Sequence, residues 1–408
     1  MSEWKKVKLG ELYDVHNGLS KGRQFFGSGY PFLTFSNVFN NWFLPEELES
    51  LVQSSEKERQ TCSIKKGDVF ITRTSETMDE LGMSSVALKD YPNATYNGFT
   101  KRLRPLTDEV IPEYIGYYLR SPKFRGKFMA FSTMTTRASL ANDDLLSMEV
   151  DIPEKATQQR IATILSRYDS LIENYQKQIK LLEESAQRLY KEWFIELRFP
   201  GHENTKIVNG VPEGWKKNTI NDVCTLITSG STPSRNKNSY WEDGTIRWVK
   251  TKELLDSWIL DTEEYITQEG YNNSSTKLFP ANTILMAIYA SPTLGRLGIL
   301  SAECCCNQAA LGLIADEKVI SWQWLFWKLY ELRDEFNAIA RGAGQQNISG
   351  IVVKNKEIVI PAKRVIDGFT SVVSTLFEQQ KNLQLQIRIL TEARDRLLPK
   401  LMNGEIEV

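Results

Sequence analysis

The chain has 408 residues, with 50 Lys or Arg against 51 Asp or Glu, so its formal net charge is −1. This length predicts roughly two or three domains, and 41% hydrophobic with 25% charged residues is typical of a folded protein. No apolar run approaches the ~18 residues of a membrane span and the first residues lack a signal-peptide core, so we expect a cytoplasmic protein. The near-zero charge argues against a protein that holds nucleic acid by bulk charge alone.

Short β-type runs and aromatic-rich helices occur in two parts of the chain, which indicates mixed α and β structure. The first part has a β-type run at 68–72 and a helix at 112–120. The second part has β-type runs at 283–286 and 357–360 and a helix at 321–333. Because Gly, Pro and Asn bound these runs, each is expected to be a short strand between turns.

A long helix is predicted after each of these parts, since apolar residues recur there at alternating spacings of four and three. A helix of about 38 residues spans roughly 57 Å, longer than a globular domain requires. Gln380 and Arg394 interrupt the second series, and we expect them to be buried and to fix the register of pairing. A helix packed only on its own domain would show the same pattern, but two matching series favour mutual pairing. The residues predicted to pair are Ile161, Leu165, Ile172, Ile179, Leu182 and Leu189 in the first helix, and Phe369, Val373, Leu376, Leu383, Ile387, Leu390 and Leu397 in the second.

The sequence is also an internal repeat with a long period. Residues 128–153 align without gaps on residues 336–361, a shift of 208, and the match continues through the long helices. We therefore predict a tandem duplication, with residues 198–215 connecting the two copies. Looser pairings precede the main match, of residues 4–6 with 215–217 and of residues 30–33 with 246–249.

Motifs of catalysis are missing from the sequence. It has no Gly-rich phosphate loop and no Asn-Pro-Pro-aromatic motif of the amino-methyltransferases, and neither His stands in a triad or HExxH spacing. Cys304, Cys305 and Cys306 are adjacent, so their thiols cannot converge on one tetrahedral metal ion, and a buried strand is expected instead. We expect no catalytic residue, no metal site and no cofactor bound by this chain.

Local basic and polar clusters favour contact with duplex DNA, where two similar modules could grip half-sites separated by about one helical turn (~34 Å) or a multiple. Residues 101–137 carry eight Lys or Arg and three acidic residues, a local charge of +5. Basic side chains can hold phosphates, while Arg, Asn and Gln can read base edges. Taken singly, each basic residue is more often a solvated surface charge, so only the clustering supports the set. The predicted DNA contacts are Lys21, Arg23, Ser36, Asn37, Arg73, Ser75, Lys101, Arg102 and Arg137 in the first copy, and Arg235, Lys237, Lys250, Lys252, Gln345, Gln346 and Asn347 in the second.

Several segments resemble the specificity (S) subunits of Type I restriction–modification enzymes. The resemblance covers essentially the whole chain, including its duplicated organisation. The segments are QQRIATILSRYDSLIENYQKQIKLLE at 158–183, KEWFIELRFPG at 191–201, VPEGW at 211–215 and RDRLLPKLMNGEI ending at 406.

The resemblance implies an α+β fold, with two similar α/β globular recognition domains joined by two long antiparallel coiled-coil helices in a pseudo-twofold tandem duplication. It divides the chain into a first target recognition domain (1–153), a first long helix with the start of the linker (154–200), a second recognition domain (201–361), and a second long helix with the C-terminal tail (362–408). Each recognition domain would read one half of a bipartite, asymmetric DNA target, and the helices would set the spacer.

The resemblance also implies partners that carry the chemistry. Two methyltransferase (M) subunits would dock on the helices and restriction (R) subunits would join them. S-adenosylmethionine, ATP and Mg would then belong to those subunits, in an adenine-N6 methyltransferase and ATP-dependent endonuclease. Two other interpretations compete: a pseudo-symmetric protein-interaction adaptor without sequence-specific DNA reading, and a single-chain enzyme, against which the missing methyltransferase motifs argue.

Overall fold

The computed structural model describes residues 4–75, 80–131, 138–139, 141–208, 210–289, 293–342 and 347–408. The chain forms two compact units. The first consists of Met1–Glu173 with Ile389–Val408, and the second of Asn174–Arg388. Each long helix is therefore divided between the two units, while the division into four parts made from the sequence stays a prediction.

The first unit combines short strands with helices before its long helix. Its strands are β1 (Lys5–Lys8), β2 (Tyr13–Asn17), β3 (Phe26–Leu33), β4 (Leu51–Val52), β5 (Val69–Thr72), β6 (Thr74–Ser75), β7 (Ser84–Val86), β8 (Thr95–Tyr96), β9 (Thr100–Pro105), β10 (Ala138–Ser139) and β11 (Glu149–Ile152). Its helices are α1 (Leu9–Leu12), α2 (Phe35–Asn40), α3 (Glu56–Thr61), α4 (Pro112–Arg120), α5 (Pro122–Phe131), α6 (Asn142–Ser147) and the first part of α7 (Lys155–Tyr190).

The second unit repeats this plan. Its strands are β12 (Ile207–Val208), β13 (Val211–Pro212), β14 (Lys216–Thr219), β15 (Cys224–Ser229), β16 (Ile246–Val249), β17 (Ser257–Ile259), β18 (Glu264–Ile266), β19 (Ile284–Ala287), β20 (Leu297–Leu300), β21 (Cys305–Cys306), β22 (Ala310–Ala315) and β23 (Glu357–Ile360). Its helices are α8 (Gln268–Asn272), α9 (Trp322–Glu331), α10 (Arg333–Gly342), α11 (Gly350–Lys354) and most of α12 (Lys363–Met402). Single turns of 3-10 helix lie at Arg23–Phe25, His202–Asn204, Ile220–Val223, Asn238–Tyr240 and Thr251–Glu253, and a π-helical turn at Lys191–Ile195 continues α7.

Among the described residues, each unit has a larger sheet, a small sheet and two separate two-stranded pairs. In the first unit the larger sheet has the order β2-β9-β5-β7 and the small one β4-β3-β8. In the second unit the corresponding orders are β15-β22-β19-β20-β17 and β18-β16-β21. Aromatic helices cover the larger sheets: Tyr114 and Tyr118 of α4 belong to the first core, and Trp324 and Phe326 of α9 to the second. The predicted strands and aromatic helices are confirmed.

Strand register confirms the tandem duplication. In the pair β1·β11, Lys5 lies opposite Ile152, and in β14·β23 Lys216 lies opposite Ile360. Ile360 follows Ile152 by the shift of 208 residues that the sequence repeat predicts. In both copies the strand that opens the globular part therefore pairs with the strand that leads into a long helix.

A second pairing obeys the same shift on one of its two sides, where Asn347 corresponds to Ser139. Ser139 in β10 lies opposite Thr74 in β6, and Asn347 bridges Tyr289. The structural equivalence of the two copies therefore extends through segments where their sequences match weakly. This is possible because strand pairing uses backbone hydrogen bonds, which tolerate different side chains.

The two long helices are continuous over 36 residues in α7 and 40 residues in α12, which passes through Pro399. In the first unit, Ile161 and Leu165 near the start of α7 share a core with Leu401 near the end of α12. In the second unit, Tyr190 at the end of α7 packs on Phe369 near the start of α12, with ring centroids 6.1 Å apart. The segments thus run antiparallel within each unit. No helix among the described residues is both long and apolar enough to cross a membrane.

The residues predicted to pair are buried to different degrees. Among them, Ile161, Leu165, Ile172, Phe369 and Val373 are buried. Ile179, Leu182, Leu189, Leu376, Leu383, Ile387, Leu390 and Leu397 are half-buried. The helices therefore bury most surface where they also pack on a globular part, as the alternative of packing on a domain core predicts for those segments.

Of the two polar interruptions of the second helix, Gln380 is buried, as expected, whereas Arg394 is only half-buried. Gln380 is 8% exposed. The Arg394 side chain is 11% exposed and pairs with Asp169 of α7 at 2.5 Å, and its guanidinium lies 5.1 Å from the Trp42 ring. The Tyr117 hydroxyl also donates a hydrogen bond to Asp169. Because a buried ion pair needs its partners in one register, this group opposes sliding of the two helices in the first unit.

Replacing Arg394 with Ala should lower the free energy of unfolding of the first unit by about 3 kcal/mol, since Asp169 is left as a mostly buried charge without its cationic partner. Urea unfolding followed by circular dichroism measures the loss. The exposed neighbour Arg396→Ala serves as control and should change stability by less than about 0.5 kcal/mol. The double variant Asp169→Leu, Arg394→Leu should recover most of the loss, and failure to do so would contradict the charge-burial explanation.

Candidate nucleic-acid interfaces

Two parallel strand pairs bring distant loops to one edge of each unit. Leu33 of β3 pairs with Tyr96 of β8, and Val249 of β16 pairs with Cys306 of β21. Strands that run parallel end at the same side, so the segments that follow them lie next to each other. The N–H of the residue after the second strand donates to the last carbonyl of the first strand in both units, from Asn97 to Leu33 and from Asn307 to Val249, each at 3.0 Å.

A glycine allows a further loop to cross the same edge. The backbone N–H of Leu19 donates to the carbonyl of Tyr96, and that of Ser231 donates to the carbonyl of Cys306. A Cβ atom on Gly18 would overlap the Asn97 carbonyl oxygen, and one on Gly230 would overlap the Cys306 carbonyl oxygen. Only glycine permits so close an approach of two backbones. The basic loops that follow these glycines are thereby held at the edge.

The end of the larger sheet joins this edge as well. In the first unit the N–H of Arg73 donates to the carbonyl of Phe99, and in the second the N–H of Ile288 donates to the carbonyl of Ala309. We call the resulting surface the loop edge. It consists of residues 17–25, 34–40, 73–75 and 97–102 in the first unit and of residues 229–237, 250–253, 287–289, 307–310 and 347 in the second.

Most of the predicted DNA contacts come together at the two loop edges. On the first edge are Lys21, Arg23, Ser36, Asn37, Arg73, Ser75, Lys101 and Arg102, and on the second are Arg235, Lys237, Lys250, Lys252 and Asn347. Arg137, Gln345 and Gln346 lie outside the described residues. The pairing of these residues with DNA stays a prediction, but the grouping of the backbone segments that carry them is a property of the fold.

Basic side chains on the first loop edge are partly neutralised. Lys21 lies 2.9 Å from the carboxylate of Glu58 and donates to the carbonyl of Gln53 at 2.7 Å. The hydrogen bond from Lys21 lowers the pKa of Glu58 to about 2, so this carboxylate stays ionised. Arg23 is exposed, and the Arg73 guanidinium donates to the Asn17 side chain at 3.3 Å.

Polar residues after β3 combine capping with exposure. The Asn37 side chain accepts from the backbone N–H of Thr34 at 3.0 Å and so closes the first turn of α2. Ser36 is exposed next to it and accepts from Asn40. Asn37 thus has a structural role in addition to the predicted contact.

Lys101 and Arg102 turn inward, although the sequence places them in a basic cluster. Lys101 is 4% exposed and donates to Asn142, and burial lowers its pKa, with Arg73 adding to this effect. Arg102 is 5% exposed and donates to the carbonyl of Ser63 at 2.9 Å. The Lys101 ammonium and the Arg102 Nη1 are thus engaged within the unit in this structure.

The local charge of +5 at residues 101–137 is therefore not a surface patch among the described residues, which corrects an expectation from the sequence. Arg104 forms an ion pair with buried Asp68 at 2.6 Å. Arg120 donates to the carbonyls of Ser84 and of α2 residues, and burial lowers its pKa to about 10. Lys123 pairs with Asp151 at 2.9 Å. These cations compensate buried acceptors, because a buried carbonyl or carboxylate without a partner is costly.

On the second loop edge, basic residues form a compact group with two carboxylates. Arg235 pairs with Glu264 at 2.6 Å, and Lys250 also pairs with Glu264, at 2.7 Å. Lys252 pairs with Glu263 at 2.6 Å. The hydrogen bond with Glu264 raises the pKa of Lys250, which stays protonated. Lys237 lies to the side and donates to the Tyr240 hydroxyl at 2.9 Å.

Exposed and half-buried aromatic side chains at or beside the loop edges are not among the site residues that the sequence predicts. Arg59 lies 3.8 Å from the centroid of the exposed Tyr30 ring, and Arg235 lies 3.6 Å from that of Trp241. Aromatic residues within basic, Gly-rich stretches such as KGRQFFGSGY (21–30) are the sequence signal that could have found them. The exposed aromatic residues of this kind are Phe25, Phe26, Tyr30, Phe99 and Tyr289.

The cysteine run forms a buried strand, as predicted. Cys305 and Cys306 make up β21, and Cys304 bridges Phe279. Burial raises the pKa of Cys305 to about 11 and that of Cys306 to about 12, so their thiols are protonated at neutral pH. The described residues contain no group of three or more His, Cys, Asp or Glu side chains able to hold a metal ion.

The comparison with known proteins agrees with this arrangement of two equivalent copies joined by long helices. The family model described as "Type I restriction modification DNA specificity domain" matches residues 1–184 and 212–386, once in each copy. The Type I restriction enzyme MjaIX specificity subunit of Methanocaldococcus jannaschii is 27% identical, over 99% of this chain and 93% of that protein. The Type I restriction enzyme HindI specificity subunit of Haemophilus influenzae is 26% identical over 100% of both chains.

A solved structure shares the fold. The crystal structure of the S subunit of a Type-I restriction–modification system from M. genitalium has a TM-score of 0.59 and 16% identity, over 98% of this chain and 96% of that one. The fold and the two loop edges define a duplicated α+β protein of the S-subunit class. The chain belongs to the Type I restriction–modification DNA specificity family, as a specificity subunit.

Replacing Gly18 or Gly230 with Ala should destabilise the corresponding unit by about 1–3 kcal/mol, because the new Cβ overlaps a backbone carbonyl and the loop must shift. Thermal unfolding of each variant measures the loss. Gly126→Ala in α5 is the matched control, since a Cβ there meets nothing within 4 Å and should be neutral or stabilising. Unchanged stability of both edge variants would contradict the close approach of the loops.

Proposed function

We propose that each unit reads one half of a bipartite DNA target through its loop edge and that the chain itself performs no chemistry. The observation that carries this proposal is the repetition of one edge by equivalent backbone contacts in two copies of a protein of the specificity family. Loops held by a rigid scaffold are the usual carriers of recognition, because their side chains can diverge without cost to the core.

The side chains on the two edges support an asymmetric target. Where the first unit has Thr34 and Asn37 at the start of α2, the second has Lys250 and Glu253 in the equivalent capping positions. Arg235 with its aromatic partners also gives the second edge a different chemistry. Because different side chains read different base edges, the two half-sites should differ in sequence.

The balance of charge supports a reader that works in an assembly. On both edges carboxylates neutralise part of the positive charge, as Glu58 does for Lys21 and Glu264 for Arg235. Affinity for DNA depends strongly on the number of phosphates neutralised, so this chain alone should bind weakly. We infer that two M subunits supply further phosphate contacts to the double-stranded DNA. The same subunits, together with R subunits, would bind S-adenosylmethionine, ATP and Mg.

We further propose that the paired helices set the spacer and dock the M subunits. Support comes from their length and from apolar residues that they leave exposed, including Leu181 of α7 and Leu385 and Ile389 of α12. Exposed apolar side chains on a helix are typical of a surface that a partner covers. The alternative is a protein-interaction adaptor without sequence-specific DNA reading. No comparable observation identifies partners for such an adaptor, and the test below includes it as an outcome.

The decisive experiment assembles the chain with M subunits and maps methylated adenines in DNA. We expect one split motif with two unlike halves. Replacing Gln345, Gln346 and Asn347 with Ala should relax only one half, since each good bidentate pairing with a base contributes about 1–3 kcal/mol of discrimination. The exposed amides Gln268 and Asn272 of α8, replaced in the same way, are the matched control and should leave the motif unchanged.

Outcomes of this experiment separate the alternatives. A single uninterrupted motif would refute the bipartite proposal, and DNA binding or methylation without sequence preference would favour the adaptor. An equal loss of affinity on specific and nonspecific DNA in the triple variant would mean that this loop only positions the backbone.

The spacer proposal has its own test. Inserting one heptad after Glu173 in α7 and one after Arg388 in α12 keeps the antiparallel register and lengthens each helix by ~10.5 Å. Since base pairs are spaced by about 3.4 Å, the mapped spacer should grow by about three base pairs with both half-sites intact. Seven residues inserted after exposed Glu203 in the connector are the control. An unchanged spacer in the helix variant would show that the helices do not set it.

A further inference from the structure

Arg235 on the second loop edge has surroundings unlike those of the other basic residues there. Its guanidinium lies 3.6 Å from the ring centroid of Trp241 and 4.9 Å from that of Trp248. The two indole rings meet edge to face, with centroids 5.0 Å apart. A guanidinium held against two aromatic faces loses little further freedom on binding, because its plane is already oriented.

The aromatic partners are themselves anchored to the loop that carries Arg235. The Trp241 indole N–H donates to the Ser234 carbonyl at 3.1 Å, and the Trp248 indole N–H donates to the Ser231 carbonyl at 3.0 Å. Trp248 is buried in the small sheet of the unit. Hydrogen bonds and ring contacts therefore connect the loop, both rings and the guanidinium, so Arg235 is not an isolated surface side chain.

A carboxylate completes this arrangement. Glu264, directly opposite Trp248 in the strand pair β16·β18, lies 2.6 Å from the Arg235 guanidinium. The side chain of Arg235 nevertheless remains 48% exposed, so it can still reach a ligand. Glu263 is close by, paired with Lys250 at 3.1 Å.

We propose that Arg235 is a base-reading residue of the second unit and that it selects guanine. This inference rests on the proposed function of the loop edge. The planar fork of a guanidinium matches the N7 and O6 acceptors of guanine in the major groove, and it is the most frequent specific contact to a base. A fork oriented in advance gains the most from such a two-point contact.

The neighbouring carboxylates favour a base edge over a phosphate. A phosphate at Arg235 would approach Glu264 and the nearby Glu263, and this like-charge repulsion opposes binding. The edge of a base is neutral and does not meet this repulsion. Lys252, which is 60% exposed and paired with Glu263, has no aromatic partner in the part of the chain that the structure describes, so it has the properties of a simple point charge.

Trp241 and Glu264 act in this proposal as positioning residues. They do not contact the base but set the plane of the Arg235 guanidinium. Glu264→Gln should consequently weaken the preference for the same base pair as an Arg235 variant does. If Glu264 had a purely structural role, its replacement would not affect one position of the motif in particular.

The test selects bound sequences from a duplex library with the chain assembled with M subunits. In Arg235→Ala and Arg235→Lys, preference for one G·C pair in one half-site should fall by about tenfold to a hundredfold, with the other half-site unchanged. Arg235→Lys keeps the positive charge and is the smaller structural change. Lys252→Ala is the matched control and should lower affinity evenly, without changing base preference and with a shallower salt dependence.

The possible results distinguish this inference from the proposed function. A wild-type assembly that selects a split motif, together with Arg235 variants that lose affinity evenly as Lys252→Ala does, would overturn the role of Arg235 alone. If the Arg235 variants instead lost their preference for an A·T pair, that result would overturn the assignment to guanine. A wild-type assembly without any split motif would refute the proposed function, and with it the inference. Relaxation of one G·C pair by both Arg235 variants and by Glu264→Gln would support it.

Discussion

A parallel strand pairing that is only two residue pairs long in each unit is the constraint on which both candidate interfaces depend. In the first unit this pairing joins β3 to β8, and in the second it joins β16 to β21. Parallel strands need a long crossover between them, so the pairing gathers loops that are far apart in sequence at one edge. Gly18 and Gly230 then allow the basic loop of each unit to pass within van der Waals distance of that edge. Without these approaches the predicted recognition residues would belong to separate loops with no common surface.

Charged side chains in this protein satisfy buried polar groups as well as forming ion pairs at the surface. Arg102, Arg104 and Arg120 satisfy buried carbonyls and a buried carboxylate, and each removes a cation from the set available to DNA. At the loop edges Glu58 pairs with Lys21, and Glu264 pairs with Arg235. If the edges contact DNA as proposed, such pairing lowers nonspecific attraction to phosphate and leaves directional hydrogen bonding as the main contribution of the edge. The proposed function, in which other subunits hold the DNA backbone, agrees with this distribution of charge.

The long helices show a related compromise between stability and register. An all-apolar seam would bury more surface, but it could slide by a heptad at little cost. The ion pair of Arg394 with Asp169 opposes such sliding in the first unit, and buried Gln380 is the polar interruption in the second. If the helices set the spacer between half-sites, a defined register matters more for function than the additional stability of an all-apolar seam. The reason is that a slip by one heptad would move a half-site by about three base pairs.

The sequence alone determined the duplication, the long helices, the short strands and the buried cysteine run, because each leaves a periodic or local signal: a constant shift of 208, a heptad spacing, or an apolar run between turn residues. It also selected the loops that meet at the two edges, since basic residues next to Gly and Ser are a local pattern. It could not tell Arg102 from Arg235, although both are arginines in predicted contact loops. The first is turned to interior carbonyls and the second is held exposed on two tryptophans. That difference depends on partners up to 41 residues away in the chain, and only the tertiary structure decides which acceptor or ring lies within reach of a long side chain.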